Sequence, residues 1–176
     1  MGHTLVTAFS KDGYQKIEAM FEKAGAKSLC KIPYGRDCQR EEAERILKHH
    51  ITMFHWAKKD DEKYLSLLNA YRFERPCTAM VSAVSLKRAE KNSLMLYLNV
   101  KPSEGFEEMR KSLEQTLGAK TSPFLHITLA ISKDHEEIQR LYERISAMEI
   151  FPFTLEITGM DLYHIWKPVK LIRQYR

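Results

Sequence analysis

The sequence has little of what would staple, anchor or metallate a chain. Its three cysteines, Cys30, Cys38 and Cys77, are odd in number and form no Cys-x-x-Cys pair. That argues against a disulfide framework and a zinc ribbon, and it fits a reducing cytosol. No apolar run approaches the roughly 18–20 residues that span a bilayer. Met1-Gly2-His3-Thr4 runs straight into a strand-like stretch, without the basic and then apolar pattern of a signal peptide. There is no His-Glu-x-x-His, and His49, His50 and His55 lack carboxylates at a metal-binding spacing, so metal catalysis is not expected. Low-complexity segments and long linkers are absent too. These gaps lead to the expectation of a cytoplasmic protein with no membrane segment, no metal and no cofactor.

What is present is ordinary globular material. The 176 residues suit one domain, or two small lobes sharing a core, and the expected unit is 1–176 as a whole. Apolar residues make up 44% and charged residues 29%, far from disordered or fibrous usage. The net charge of +5 and a pI near 9.0 give a small push toward anionic partners such as nucleotides or RNA ends.

Hydrophobic periodicity predicts strands at Leu5–Phe9, Ser28–Ile32, Ile51–Trp56 and Phe124–Ile131. Two more, Thr78–Leu86 and Leu94–Val100, form a hairpin, and Phe153–Tyr163 with Val169–Tyr175 form a closing antiparallel pair. Helices are predicted at Tyr14–Ala24, Asp37–Lys48, Asp60–Arg72, Phe106–Leu117 and Asp134–Met148, with Gly25 and Gly118 as stops. Strands that pair locally between helices point to α+β with antiparallel sheets rather than a doubly wound sheet.

One short pattern occurs twice, as His50-Ile51-Thr52 and His126-Ile127-Thr128. Each copy follows a helix rich in Glu, Lys and Arg and precedes another helix. Two such halves related by a pseudo-two-fold would bring the copies to one seam. Side chains alternate across a strand, so imidazole and hydroxyl stand together on one face while Ile51 and Ile127 face the core. By the same alternation Ala130 and Ser132 share the His126 face, and His55 shares the face of Ile51 and Met53.

The pairing has a chemical reason. A phosphoester transfer needs one group to take a proton from the attacking oxygen and another to protonate the leaving oxygen. Histidine titrates near neutrality and serves in either role. A threonine hydroxyl donates to a non-bridging phosphate oxygen. Two units therefore supply an acid, a base and two phosphate donors with no metal.

With Lys48-His49-His50-Ile51-Thr52-Met53, Pro123-Phe124-Leu125-His126-Ile127-Thr128-Leu129, the opening Leu5–Ala24 and the ending Leu162–Val169, the chain resembles the 2H phosphoesterases. That family includes bacterial 2′-5′ RNA ligases and 2′,3′-cyclic phosphodiesterases. The resemblance implies a bilobal α+β fold with two pseudo-symmetric antiparallel sheets facing a central cleft and helices on the outer faces. It also implies a metal-independent hydrolase acting on 2′,3′-cyclic phosphate ends of RNA or nucleotides, with His126 as base and His50 as acid. A 2′-5′ RNA ligase and a non-catalytic nucleotide- or RNA-binding module on the same fold are the alternatives. The oligomeric state stays open, a monomer being compatible.

Other residues carry weaker signals. Tyr34 and Arg36 sit on a turn and could stack on a base or clamp a phosphate. Tyr163, Trp166 and Lys167 form an aromatic-basic cluster that could line the cleft mouth. Lys170, Arg173 and Arg176 read as a solvated edge. His49 points away from the motif face and reads as structural or surface, and His3, His135 and His164 have no helpful spacing.

Overall fold

The computed structural model describes residues 2–25, 49–89, 92–165 and 170–176. Two expected elements, the strand Ser28–Ile32 and the helix Asp37–Lys48, lie outside these residues. In chain order the described elements are β1 (Gly2–Phe9), α1 (Lys11–Lys23), β2 (Thr52–Ala57), a short 3-10 turn (Lys58–Asp60) and α2 (Asp61–Ala70). They continue with β3 (Cys77–Ala89), β4 (Ser93–Pro102), α3 (Glu104–Leu117), β5 (His126–Ser132), α4 (His135–Ser146), β6 (Phe153–His164) and β7 (Lys170–Tyr175).

Local chemistry sets the helix ends. Ser10 caps α1 by accepting from the Gly13 amide, and Ser103 caps α3 by accepting from the Phe106 amide. Gly118 closes α3 in the left-handed region at φ 60°, where a side chain would add strain. Each amphipathic helix turns one stripe inward: Ile17, Met20 and Phe21 from α1, Phe106, Met109, Leu113 and Leu117 from α3, and Ile138, Leu141 and Ile145 from α4. These stripes join the inward residues of the strands in one core cluster.

All strand pairs among the described residues are antiparallel, so the α+β class expected from the sequence is the class found. The strands follow one path, β2-β1-β6-β3-β4-β5, with β7 added beside β6. The two expected sheets are the two halves of this path, joined where β3 pairs β6 from Cys77↔Ile157 to Val81↔Phe153. The path is symmetric under exchange of β1 with β4, β2 with β5 and β3 with β6. The chain order repeats in step, as β1-α1-β2-α2-β3 and then β4-α3-β5-α4-β6.

The free ends of the path, at β2 and β5, meet at a single antiparallel bridge between Ile51 and Ile127, the central residues of the two His-x-Thr motifs. Both isoleucines are fully buried. Each strand then carries an irregularity at the residue after its threonine. Val6 pairs Thr52 and Leu5 pairs Phe54, leaving Met53 as the extra residue. Tyr97 pairs Thr128 and Leu96 pairs Ala130, leaving Leu129 extra. Such bulges bend a strand and re-aim the side chains beyond them.

The bulges correct two expectations. Ala130 is buried opposite Leu96 rather than on the His126 face, because the alternation inverts at Leu129. His55 leaves the Ile51 and Met53 face for the same reason, stands opposite Thr4 and is exposed, while Trp56 turns inward. The expected internal repeat is thus present down to its bulges.

Truncating either bridge isoleucine opens a cavity at the junction of the halves. Ile51→Ala and Ile127→Ala should each lower stability by about 2–5 kcal/mol, read from urea midpoints at unchanged slope. A loss well under 1 kcal/mol for either would contradict their burial.

Candidate active site

Residues directly opposite in an antiparallel pair share a face. The Ile51–Ile127 bridge therefore sets His50 opposite Thr128 and Thr52 opposite His126, all four on the side away from the two isoleucines. In that register His50 and His126 would be diagonal neighbours, a relation in which α-carbons lie about 7–8 Å apart.

Both motifs are held by backbone and buried side chains. Thr7 of β1, 1% exposed, donates its amide to the Ile51 carbonyl at 3.0 Å, and its hydroxyl accepts from the Ile51 amide at 3.0 Å. The bulged Met53 accepts from the Ser122 amide at 2.8 Å, tying β2 to the loop that enters β5. That loop is gripped by α3. Arg110 donates to the Thr121 hydroxyl and the Ser122 carbonyl, and Glu114 accepts from the Thr121 amide and hydroxyl. The bonds from Lys120 first, and then from Thr121, pull the Glu114 carboxyl down to about 2.

His49 has the structural role expected of it. Its ring stacks on Phe21 of α1 at 5.3 Å and is hydrogen-bonded to the Thr128 backbone, so the approach to the first motif is fastened to the second. Burial pushes its pKa down, with the bond to Thr128 opposing. Its buried Nδ1 has no partner.

The two motif histidines have different surroundings. His126 stacks on Phe124 at 4.3 Å and meets the edge of Tyr97 at 5.7 Å. Its Nδ1 lies 3.0 Å from the Phe124 carbonyl, a partner that can only accept, so Nδ1 carries the proton and, in the neutral ring, the lone pair is on Nε2. Burial lowers its pKa, the Phe124 bond opposes, and the nearby Lys87 lowers it further. Lys87 also lies over the Phe124 ring at 4.8 Å. The Thr128 hydroxyl points to the Met95 sulfur at 3.8 Å. His50 instead lines a cavity of about 510 Å³ bounded by α1, β1, β6 and β7.

Of the residues singled out in the sequence, His50, Thr52, His126 and Thr128 flank the bridged pair Ile51 and Ile127. Tyr34, Arg36 and Trp166 lie outside the described residues, as does Lys167. Tyr163 is buried beside Asp161, to which it is hydrogen-bonded. Arg176 is not a plain solvated charge, since it pairs with Asp161 at 2.7 Å. His3 is buried and bonded to Asp61 at 2.7 Å and to His164 at 3.3 Å, away from the motifs.

Phe124, Tyr97, Lys87, Thr7 and Asp161 escaped the sequence reading. Phe124 stands two residues before His126 and could have been found by alternation alone. Asp161 is a carboxylate between the apolar Met160 and Leu162 of a strand run, which was also a usable signal.

Both the motif backbone and the His126 ring can be probed in solution. Thr7→Val keeps the shape but strands the buried Ile51 amide, so it should cost about 1–3 kcal/mol in chemical denaturation. His126 should titrate below 6.5 by histidine proton resonances. Because its folded pKa is depressed, its contribution to stability is whole above about pH 6.5 and is lost as pH falls toward the folded value. A His126 midpoint above 6.5 would contradict the burial and the Lys87 contact.

No protein-family model and no curated protein sequence matches the chain. Solved structures do match along its whole length. TT0787 of Thermus thermophilus is similar at 17% identity and TM-score 0.58, covering 99% of this chain and 97% of that one. E. coli LigT in its NADP+ complex is similar at 14% identity and TM-score 0.51, over 99% and 96%. The crystal structure of a phosphoesterase matches at 14% identity and TM-score 0.51 over the same shares. At these identities the likeness is one of fold, and the fold is that of the 2H phosphoesterases.

Proposed function

We propose that the chain is a metal-independent phosphoesterase that opens 2′,3′-cyclic phosphate ends of nucleotides or RNA. The observation that supports this reading is the Ile51–Ile127 bridge, which joins the centres of the two His-x-Thr motifs at the junction of the half-sheets. A nucleotide substrate agrees with the complexes of E. coli LigT, a protein of this fold, with ATP and with NADP+.

In this reaction Nε2 of His126 takes a proton from water as its oxygen bonds to phosphorus. One ribose oxygen–phosphorus bond breaks, and protonated His50 gives its proton to the departing oxygen. The product is a ribose phosphomonoester, and the proton gained by His126 returns to His50 through solvent. The low pKa of His126 keeps it unprotonated at neutral pH, as a base must be. Thr52 and Thr128 donate to the non-bridging oxygens, and Lys87 adds positive charge on the His126 side. An RNA 5′-hydroxyl in place of water would make the same site a 2′-5′ ligase.

The test is hydrolysis of 2′,3′-cyclic nucleotides and cyclic-ended RNA in EDTA, with products separated by chromatography. Activity should survive chelation; loss in EDTA with rescue by a divalent ion would reject a metal-free mechanism. His50→Ala or His126→Ala should each remove on the order of 10²–10⁴ in rate. The double variant should lose far less than the product of the two, because the pair works as a unit. Thr52→Ala and Thr128→Ala each delete one neutral hydrogen bond, worth about 0.5–1.5 kcal/mol. Full activity in a folded double histidine variant would show that other residues do the chemistry.

A further inference from the structure

The pseudo-two-fold lets the two sides of the site be compared position by position. On the second side Thr128 faces Tyr97, and Tyr97 faces Ser85. On the first side Thr52 faces Val6, and Val6 faces Asp161. A large ring thus fills one side where a small aliphatic residue stands on the other. The first side continues with Ala8 opposite Gly159, both nearly without side chain. The cavity of about 510 Å³ lies on this first side, with His50 on its wall.

A prearranged polar group stands across that small-residue floor. Asp161 is 8% exposed and accepts from Arg176 at 2.7 Å, from Gln174 at 3.3 Å and from Tyr163. Gln174 is the strand neighbour of Asp161 on β7. Gly159 makes the arrangement possible, because a Cβ there would collide with the Tyr175 carbonyl and come within 2.7 Å of the Arg176 guanidinium. Arg176 also donates to the carbonyls of Met160 and Tyr175, which fixes it over the glycine.

We infer that this cavity is the nucleoside subsite, holding the base of the nucleotide whose phosphate lies between His50 and His126. Three features favour a base over a second phosphate. The Asp161–Arg176 pair cancels its own charge, and the lining adds one residue of each sign, Lys11 and Glu18, so an uncharged polar group is accommodated best. A carboxylate has acceptor capacity beyond three donors, which suits the N–H edge of a nucleobase. Tyr14 and Tyr163 supply flat walls. With strands about 4.8 Å apart, Asp161 lies two strands, or roughly 10 Å, from Thr52, a span of nucleotide size. The volume also falls within the roughly 300–1,000 Å³ of ordinary small-ligand pockets. The inference rests on the proposed reaction only for where the phosphate sits.

Calorimetric binding of the four nucleoside 3′-monophosphates and of inorganic phosphate to the full chain tests it without turnover. Wild type should bind at least one nucleotide ten-fold or more tighter than phosphate. Gln174→Ala, at an exposed position, and Asp161→Asn should each reduce that preference about ten-fold while phosphate affinity stays within two-fold. Should Asp161→Asn fail to fold, Gln174→Ala reads the same quantity alone. Nucleotide affinity unchanged in a folded Gln174→Ala overturns the subsite and leaves the cluster as a fastening of β7 to β6. So does a wild type that binds nucleotide no better than phosphate, even if it cleaves cyclic phosphates. A chain with the predicted binding pattern but no hydrolysis keeps the subsite and removes the proposed reaction.

Discussion

One backbone contact organises the molecule. The bridge between Ile51 and Ile127 joins the two ends of a long strand path, and everything on the motif face takes its position from that pairing. The register matters because a shift of one residue would invert every side chain. It would send His50 and Thr52 into the core and Ile51 into water. Two fully buried isoleucines oppose such a slip by their burial. Thr7 opposes it again by bonding both polar groups of the Ile51 backbone. The bulges at Met53 and Leu129 then end the shared pairing in the same way on both sides. A site built on strands and pinned at one pair holds its geometry better than one carried on loops.

Symmetry of the backbone does not extend to the side chains around the two motifs. Tyr97 and Phe124 crowd His126, desolvate its ring and fix which nitrogen carries the proton. At the position related to Tyr97 stands the smaller Val6, and His50 lines the cavity on that side. The same His-x-Thr motif is therefore placed against two aromatic rings once and on the wall of a cavity once. Two chemically equal groups are thus set in unequal environments, which the proposed division into base and acid would use.

Much of this was legible beforehand, for physical reasons. The motif strands and the amphipathic helices repeat at periods of two and 3.6, and each such run in the described residues became the expected element. The repeat was legible because each half needs the same strand–helix order to bury its own face. What was not legible came from interruptions of period. A bulge adds one residue and leaves no mark in composition, so the faces of His55 and Ala130 were misread beyond Met53 and Leu129. Lys87 was hidden because β3 runs on to Ala89, past the turn that its polar sequence suggested. The Asp161–Arg176 pair joins residues 15 apart in the chain through the β6–β7 pairing, and spacing alone could not have found it.

The buried polar atoms follow the same logic. Burying a polar group without a partner costs about 1–3 kcal/mol, so such groups persist where the fold over-determines them. Thr7, Thr121 and Asp161 are buried and satisfied, and each fastens one strand or loop that borders the motif face. His49 departs from the pattern with its unpartnered Nδ1, yet its ring bridges Phe21 of α1 and the backbone of Thr128. A residue that joins the helix of one half to the motif strand of the other gains packing on both sides, and that offsets one unpaired nitrogen. A leucine at 49 would keep the packing on Phe21 but lose the bond to Thr128. The imidazole therefore contributes a hold across the seam that an aliphatic side chain could not.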